Sequence, residues 1–137
     1  MPLTPYLFFD GRCEEAIQFY TTALGAEVNM LMRFKDAPDQ SQCAPGTEEK
    51  IMHASITIAG TPVMLSDGRA QNRPKFEGFA LSIDAKDEAD GERIFTALAE
   101  AGQIQMPLAE TFFAKRFGMV ADRFGVGWML IAGAKKS

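Results

Sequence analysis

The chain contains the same local pattern twice, in residues 8–26 and 82–102. Each copy has a short apolar segment, an aspartate turn, an amphipathic helix with an aromatic residue near its middle, and a small-residue stop. A module repeated at about half the chain length predicts a supersecondary unit paired with itself, and such a pair can enclose a site between its halves. We therefore expect one domain over residues 1–137, with modules at about 1–70 and 75–137.

Composition and charge exclude several classes of protein. The net charge is -4, whereas a nucleic-acid-binding protein is expected to present a basic surface. No apolar run approaches the length of about 18 residues that spans a membrane. The first residues lack the basic and apolar regions of a signal peptide, and the only cysteines, Cys13 and Cys43, suggest free thiols. We expect a cytoplasmic protein with no nucleic-acid partner and no membrane partner.

Hydrophobic periodicity predicts the same order of elements in both modules. The first is predicted to have a helix over 13–24, ended by a left-handed Gly25, and strands over 6–9, 28–34, 51–59 and 63–66. The second is predicted to have a helix over 87–101 and strands over 79–83, 103–106, 111–114, 118–121 and 127–131. This order indicates the α+β class. Residues 35–50 read as a long loop, either a functional lid or merely loose.

Two segments resemble the vicinal oxygen chelate superfamily, which includes glyoxalase I, extradiol dioxygenases and bleomycin-resistance proteins. Residues 16–20 (AIQFY) with Leu24-Gly25 look like its first helix, and residues 122–125 (DRFG) with Trp128 look like its final hairpin. Further stretches, including His53-Ala54 and residues 64–67 (MLSD), are similar to the PhnB-like branch. The resemblance implies two βαβββ modules, each a curved mixed sheet with its helix outside and a cavity on the concave side. It also implies a homodimer.

The positions that hold a metal ion in enzymes of that superfamily carry unsuitable residues here. They correspond to Pro5, Met64, Gly78 and Met129, and the chain has a single histidine. Methionine sulfur is a soft ligand that does not suit a hard divalent ion. We therefore predict no metal and no cofactor, and glyoxalase or dioxygenase chemistry would lack its electrophile. A metal-dependent, glyoxalase-like enzyme with atypical ligands remains an alternative.

Strand alternation gives candidate ligand-binding residues in the first module. In residues 51–58, His53 shares a mostly polar face with Ile51, Ser55 and Thr57, while the opposite face is apolar and is expected to pack under the helix. A histidine there could bind an anion when protonated or act as a base when neutral. It could also be a structural histidine. Met64 and Ser66 share one face of the next strand, although Ser66-Asp67 could simply form a turn.

The second module supplies four more candidates. Glu110 is a possible general base or hydrogen-bond acceptor, and Arg116 stands at a basic position of the family from which a guanidinium could recognise a carboxylate, phosphate or phosphonate. Phe113 and Trp128 could form an apolar wall for a ligand. Each has a structural alternative: a solvated Glu110, a surface-exposed Arg116, and aromatic side chains buried in the core.

These residues favour a metal-independent protein that binds a small anionic or amphipathic molecule. An alternative is a lyase or isomerase acting on a small carbonyl or phosphonate compound, with His53 or Glu110 as the acid-base group and Arg116 stabilising an oxyanion. The sequence does not decide whether the protein is an enzyme. Related sequences are sometimes labelled demethylubiquinone methyltransferases, but no glycine-rich strand-to-helix loop for S-adenosylmethionine is present.

Overall fold

The computed structural model describes residues 3–38, 45–68 and 75–135. The chain divides into two compact units, Met1–Pro74 and Lys75–Ser137. Their boundary lies between the two predicted modules, whereas the grouping of both into one domain stays a prediction. No helix in the described part of the chain is long and apolar enough to cross a membrane.

The described residues of the first unit form one helix and four strands. They are β1 (Tyr6–Phe8), α1 (Cys13–Leu24), β2 (Glu27–Arg33), β3 (Ile51–Ile58) and β4 (Thr61–Ser66), with a 3-10 turn at Phe34–Asp36. The strand order is β1-β4-β3-β2, in which β1 is parallel to β4 and the other pairs are antiparallel. Residues 39–44, in the middle of the predicted loop, lie outside the described residues, so its role as a lid stays a prediction.

The second unit repeats this arrangement. Its elements are β5 (Leu81–Ala85), α2 (Glu88–Ala99), β6 (Gln103–Ala109), β7 (Ala114–Ala121) and β8 (Gly127–Ala134). The strand order is β5-β8-β7-β6, again with one parallel pair, β5 and β8. The predicted α+β class and the two βαβββ modules are confirmed.

The helix predictions hold because both helices carry clear end signals. Gly25 has φ 67° after α1, the left-handed conformation that glycine adopts without strain. At the start of α2 the Asp87 side chain accepts a hydrogen bond from the backbone N–H of Asp90, so this aspartate is the N-cap. The second helix ends at Ala99, two residues earlier than predicted.

One predicted strand of the second module, 111–114, is wrong, and the strand predicted at 118–121 is too short. Residues 111–114 form no separate strand, since Thr111 closes a turn in which its Oγ1 accepts hydrogen bonds from the backbone N–H groups of Phe113 and Ala114. A single strand, β7, then runs from Ala114 to Ala121. Gly118 lies inside this strand, and a Cβ there would lie 2.7 Å from the Phe95 ring, so the glycine allows the helix to approach the sheet.

One face of each sheet is covered by the helix of its own unit. In the first sheet this face carries buried Ala54, Ile56 and Ile58, as predicted, and α1 packs against β2 and β3. Ile51 was predicted on the opposite face with His53, yet it is fully buried. The reason is an irregularity between Met32 and Arg33, where the register with β3 shifts and the alternation is lost.

Candidate functional site

The face of the first sheet opposite α1 carries aromatic, thioether and small polar side chains. We call it the helix-free face; strand register assigns to it Tyr6, Phe8, Met30, His53, Ser55 and Met64. Across the strands, Tyr6 pairs with Met64, Met64 with Ser55 and Ser55 with Met30. Tyr6, Phe8 and Met30 are 39%, 48% and 40% exposed, an unusual accessibility for large apolar side chains on one surface.

A hydrogen bond joins the histidine to the tyrosine on this face. The Tyr6 hydroxyl lies 2.9 Å from Nδ1 of His53, and the two ring centroids are 5.6 Å apart. Tyr6 also stacks on Phe8 with a centroid distance of 4.7 Å and an interplanar angle of 18°. The tyrosine thus holds the imidazole in one orientation, leaving Nε2 as the ring nitrogen that can meet a ligand.

The other two candidates of the first module differ in accessibility. Met64 lies half-buried between its register partners Tyr6 and Ser55. Ser66 is buried, and its Oγ donates a hydrogen bond to the carbonyl of Met52 at 2.7 Å and accepts one from the N–H of Gly68 at 2.8 Å. Its hydroxyl is therefore engaged in closing the end of β4. The unit brings His53 and Met64 to one surface, and their ligand-binding roles stay predictions.

Glu110 forms an ion pair at the surface of the second unit. Its Oε2 lies 2.6 Å from Nζ of Lys135, and this hydrogen bond holds the pKa of the Glu110 carboxyl below its usual range. A lowered pKa keeps the group ionised and makes it a weaker base. The pairing supports the solvated alternative for this residue.

Arg116 lies on the helix-covered face of the second sheet. Its register partner in β8 is Ala132, which is buried beneath Gly91 of α2. Its Nη1 lies 3.7 Å from Oε1 of Glu88 in the first turn of that helix, and it also donates to the carbonyl of Lys115. The predicted cavity-facing guanidinium is therefore displaced to the other side of the sheet.

Trp128 is also on the helix-covered face. It is 2% exposed and shares the alternation of buried Leu130 and Ala132. Its indole Nε1 donates a hydrogen bond of 2.9 Å to Oδ2 of Asp122, whose Oδ1 accepts from the backbone N–H groups of Phe124 and Val126. The predicted turn at residues 122–125 is thus organised by a buried carboxylate, and the tryptophan is a core residue.

Phe113 belongs to a cluster of three aromatic rings. Its centroid lies 5.1 Å from that of Phe112 and 5.0 Å from that of Phe117, and both pairs meet edge to face. Phe117 lies on the helix-free face of the second sheet, defined by Ser82, Met106, Phe117, Met119, Met129 and Ile131. Phe113 remains accessible at 36%, which is compatible with its predicted contact with a ligand.

The residues at the metal positions do not fit a hard divalent ion. Over residues 3–38, 45–68 and 75–135, no three His, Cys, Asp or Glu side chains are grouped in a way that could hold a metal ion. Met64 and Met129 stand at two of the positions that the resemblance assigns to metal ligands. No step through a divalent metal follows from these residues, and metal independence stays a prediction.

Sequence reasoning missed Tyr6. The signal was available, because β1 was expected to lie in the same sheet as the strand of His53, and alternation within residues 6–9 separates Tyr6 and Phe8 from buried Leu7. The hydrogen bond to His53 could not be predicted, since it depends on the parallel register of β1 with β4.

Similarity to known proteins covers almost the whole chain. The sequence model of the family described as 3-demethylubiquinone-9 3-methyltransferase matches residues 2–131. Protein YjdN of Escherichia coli (strain K12) is 40% identical over 95% of this chain and 94% of its own length. The PhnB protein from Bacillus cereus has a solved structure with a TM-score of 0.82 and 30% identity, covering 97% of this chain and 100% of that one.

A more distant structure shares the fold alone. The glyoxylase/bleomycin resistance protein/dioxygenase domain from Frankia sp. EAN1pec matches with a TM-score of 0.67 at 16% identity, over 97% of both chains. The family match, the two relatives and the repeated βαβββ units together mean that the chain belongs to the PhnB-like family described as 3-demethylubiquinone-9 3-methyltransferase, and it shares its fold with the glyoxylase/bleomycin resistance protein/dioxygenase domain.

Proposed function

We propose that the protein binds a small amphipathic molecule on the helix-free face of its first sheet, without a divalent metal ion. The observation that carries this proposal is the hydrogen-bonded Tyr6–His53 pair beside exposed Phe8 and Met30. An apolar wall with a few convergent polar groups is the usual composition of a ligand site. The stacked rings would hold the apolar part of the molecule, and His53 would meet its polar group.

Fewer residues are available to recognise an anionic group of the ligand than the sequence suggested. Arg116 interacts with Glu88 on the helix-covered face, and Glu110 interacts with Lys135. His53 is then the candidate that would meet an anionic group, when the imidazole is protonated.

Methyl transfer is not part of the proposal. The strand-to-helix connections are residues 9–12 (FDGR) in the first unit and Lys86-Asp87 in the second. Neither carries the glycine-rich pattern whose backbone cradles a nucleotide-like cofactor at a helix N-terminus.

An acid-base enzyme is the second candidate, favoured by the same Tyr6–His53 hydrogen bond. An imidazole held by a second group is the usual arrangement of a general base. His53 would remove a proton beside a carbonyl, and a lyase or isomerase would result. Turnover lost in His53→Ala but retained in Phe112→Ala would support this function, whereas binding without turnover would leave the protein as a binding module.

We also propose a homodimer. The strands β2 and β6 lie at the edges of their sheets and expose apolar side chains; Val28 and Ile104 are each 50% exposed. Edge strands with uncovered apolar surface are suited to pairing with another chain. Light scattering after gel filtration would give a dimer mass for the protein and a monomer mass for a Val28→Lys/Ile104→Lys variant if these edges form the interface.

The binding proposal is tested with 8-anilinonaphthalene-1-sulfonate, an amphipathic anion whose fluorescence rises in apolar surroundings. Native mass spectrometry of protein purified without chelator would first report any bound metal or organic adduct. Titration would then compare the protein with His53→Ala and with Phe112→Ala, since Phe112 is 91% exposed and lies outside the first unit. We expect weaker binding only in His53→Ala. Equal loss in both variants, or a stoichiometric divalent metal, would contradict the proposal.

A further inference from the structure

Three methionines form a row across the helix-free face of the second sheet. Met129 on β8 is the register partner of Met119 on β7, and Met119 is the partner of Met106 on β6. Directly opposed residues in an antiparallel pair point to the same face, with Cβ atoms about 5 Å apart. The three thioethers are therefore neighbours on one surface.

A β-bulge brings the third methionine into the row. Ile104 pairs with Val120, which is buried on the helix-covered face, so strict alternation would place Met106 on that face as well. The register shift between Ile104 and Met106 makes Met106 the partner of Met119 instead. Bulges commonly redirect a side chain in this way near functional sites. Met106 is 44% exposed, and Met119 and Met129 are half-buried, so the row is accessible.

The chemistry of such a row is that of a soft-metal site. Thioether sulfur is a soft donor that prefers Cu(I) to hard divalent ions. Methionine has three rotatable side-chain bonds, so sulfurs from adjacent strands can converge on one ion without movement of the backbone. Thioethers are neutral and offset none of the charge of a bound ion. Three of them therefore suit a monovalent cation better than a divalent one.

The first sheet provides an internal comparison. The corresponding row there is Met30, Ser55 and Met64, with a similar bulge between Val28 and Met30. Its two methionines are separated by a whole strand, and a serine replaces the central sulfur. The second sheet thus has a row of three neighbouring sulfurs, whereas the corresponding row of the first sheet lacks the central sulfur.

We propose that the thioether sulfurs of Met106, Met119 and Met129 together bind one soft monovalent cation of the Cu(I) class. Met119 is the central ligand, because it is the register partner of both other methionines. This site is independent of the organic ligand proposed for the first sheet. Since none of its ligands is a His, Cys, Asp or Glu side chain, it also differs in chemistry from a hard divalent-metal centre.

The test uses Ag(I), an air-stable ion with the ligand preference of Cu(I), in chloride-free nitrate buffer. Protein labelled with ¹³C at the methionine methyl groups would be titrated, and the resonances would be assigned by Met→Leu substitutions. We expect the signals of Met106, Met119 and Met129 to shift together and to saturate at one equivalent. The signals of Met30 and Met64 are expected to stay in place, which makes them reporters of non-specific binding.

Cysteine thiolates would compete for the same ions and are controlled separately. Cys13 is fully buried, and burial raises the pKa of its thiol, so it is a poor competitor. Cys43 lies outside the described residues, so all titrations would use a Cys43→Ser background. Anaerobic competition for Cu(I) with bathocuproine disulfonate would then give the affinity.

Two substitutions decide the proposal. Met119→Ser copies the first-sheet row and is expected to weaken Cu(I) binding at least tenfold, whereas Met30→Ser should leave it unchanged. Ser55→Met completes the first row and should create a second equivalent of binding. Undisturbed methyl signals of the three methionines at saturating Ag(I), or Met119→Ser binding Cu(I) as tightly as the parent, would overturn the proposal. Circular dichroism of each variant would show that the fold is intact.

Discussion

The carboxylate of Asp67 caps a helix that begins far earlier in the sequence: its Oδ1 accepts a hydrogen bond of 3.0 Å from the backbone N–H of Cys13, the first residue of α1. Arg12, at the N-cap position, makes no capping hydrogen bond with its side chain, which instead donates to the carboxylate of Glu15. The other oxygen, Oδ2, accepts from the N–H of Ile51 at the start of β3. One buried side chain therefore joins the ends of a helix and two strands.

We expect Asp67→Asn to lower the free energy of unfolding by about 3 kcal/mol. Both carboxylate oxygens accept hydrogen bonds from backbone N–H groups. In the asparagine variant the side-chain NH₂ would face one of these N–H groups, donor against donor, and that hydrogen bond would be lost. The negative charge also favours the N-terminus of α1, where the helix dipole is positive. Urea denaturation would measure the change, with exposed Asp84→Asn as the control. A loss below about 0.5 kcal/mol would contradict the capping role.

Gly118 tests how closely α2 approaches its sheet, and Gly127, whose nearest atoms belong to Phe79 and Ala80, is the control. A Cβ at Gly118 would meet the Phe95 ring at 2.7 Å and a Leu108 methyl at 3.0 Å, whereas at Gly127 the nearest atom would be 3.4 Å away. We expect Gly118→Ala to destabilise the protein by about 1–3 kcal/mol through overpacking. Gly127→Ala should be neutral or slightly stabilising, because it removes backbone freedom from the unfolded chain. Thermal unfolding of the two variants under identical conditions measures this difference.

The repeat, both helices and the order of the strands could be predicted because their signals are local. Apolar spacing marked α1 and α2, and Gly25 and Asp87 marked helix ends. His53, whose strand was correctly placed, was correctly assigned to the face opposite the apolar one. The face of a residue follows from counting alternate positions along a strand, so any error in the start of the strand reverses it.

The remaining errors come from interactions between distant residues and from bulges. The strand of Arg116 was broken by a predicted gap, so its position beside Glu88 could not be obtained by counting. Trp128 was considered as part of an apolar wall for a ligand because it is aromatic, with burial in the core as the alternative. Its hydrogen bond to buried Asp122 was not foreseen, since Asp122 was taken only as a turn residue. A sequence shows that an aspartate favours a turn, but it does not show which backbone groups its carboxylate will meet.

The ion pair of Glu14 with Arg33 is expected to make the stability of the first unit depend on pH. Its carboxylate accepts hydrogen bonds from Arg33, which also donates to the carbonyl of Glu49 at 2.7 Å. The hydrogen bond to Arg33 holds the pKa of Glu14 below its ordinary 4.5. Because the pKa of Glu14 is lower in the folded protein than in the unfolded chain, this interaction stabilises the fold at pH values above the ordinary pKa of 4.5. The contribution is lost as the pH falls through the lowered pKa of Glu14 in the folded protein.

We expect Glu14→Gln to be less stable than the parent at neutral pH by less than about 1 kcal/mol, since the pair is partly solvated. The difference should shrink toward zero as the pH falls, and it should also shrink in high salt. Urea unfolding from about pH 7 to about pH 3 would measure it. Exposed Glu92→Gln is the control. A stability difference that stays constant with pH would mean that the glutamate acts through packing rather than charge.

Tyr6→Phe separates the hydrogen bond to His53 from the aromatic stack. The substitution removes only the hydroxyl that lies 2.9 Å from Nδ1, and it keeps the ring that stacks on Phe8 at 4.7 Å. His53 is the only histidine of the chain, so its two ring nitrogens give uncrowded ¹⁵N signals. With the hydroxyl donating to Nδ1, the neutral ring carries its proton on Nε2. We expect this tautomer in the parent at pH 8 and a mixture of tautomers in Tyr6→Phe.

The same variant should bind 8-anilinonaphthalene-1-sulfonate about three- to tenfold more weakly, a loss of about 1 kcal/mol that matches one hydrogen bond holding the imidazole in place. Tyr6→Ala should lose more, because it also removes the stacking surface. Phe112→Ala should bind as the parent does. If the ¹⁵N signals change while the affinity does not, the pair is a structural feature of the sheet, and the ligand site must lie on other residues.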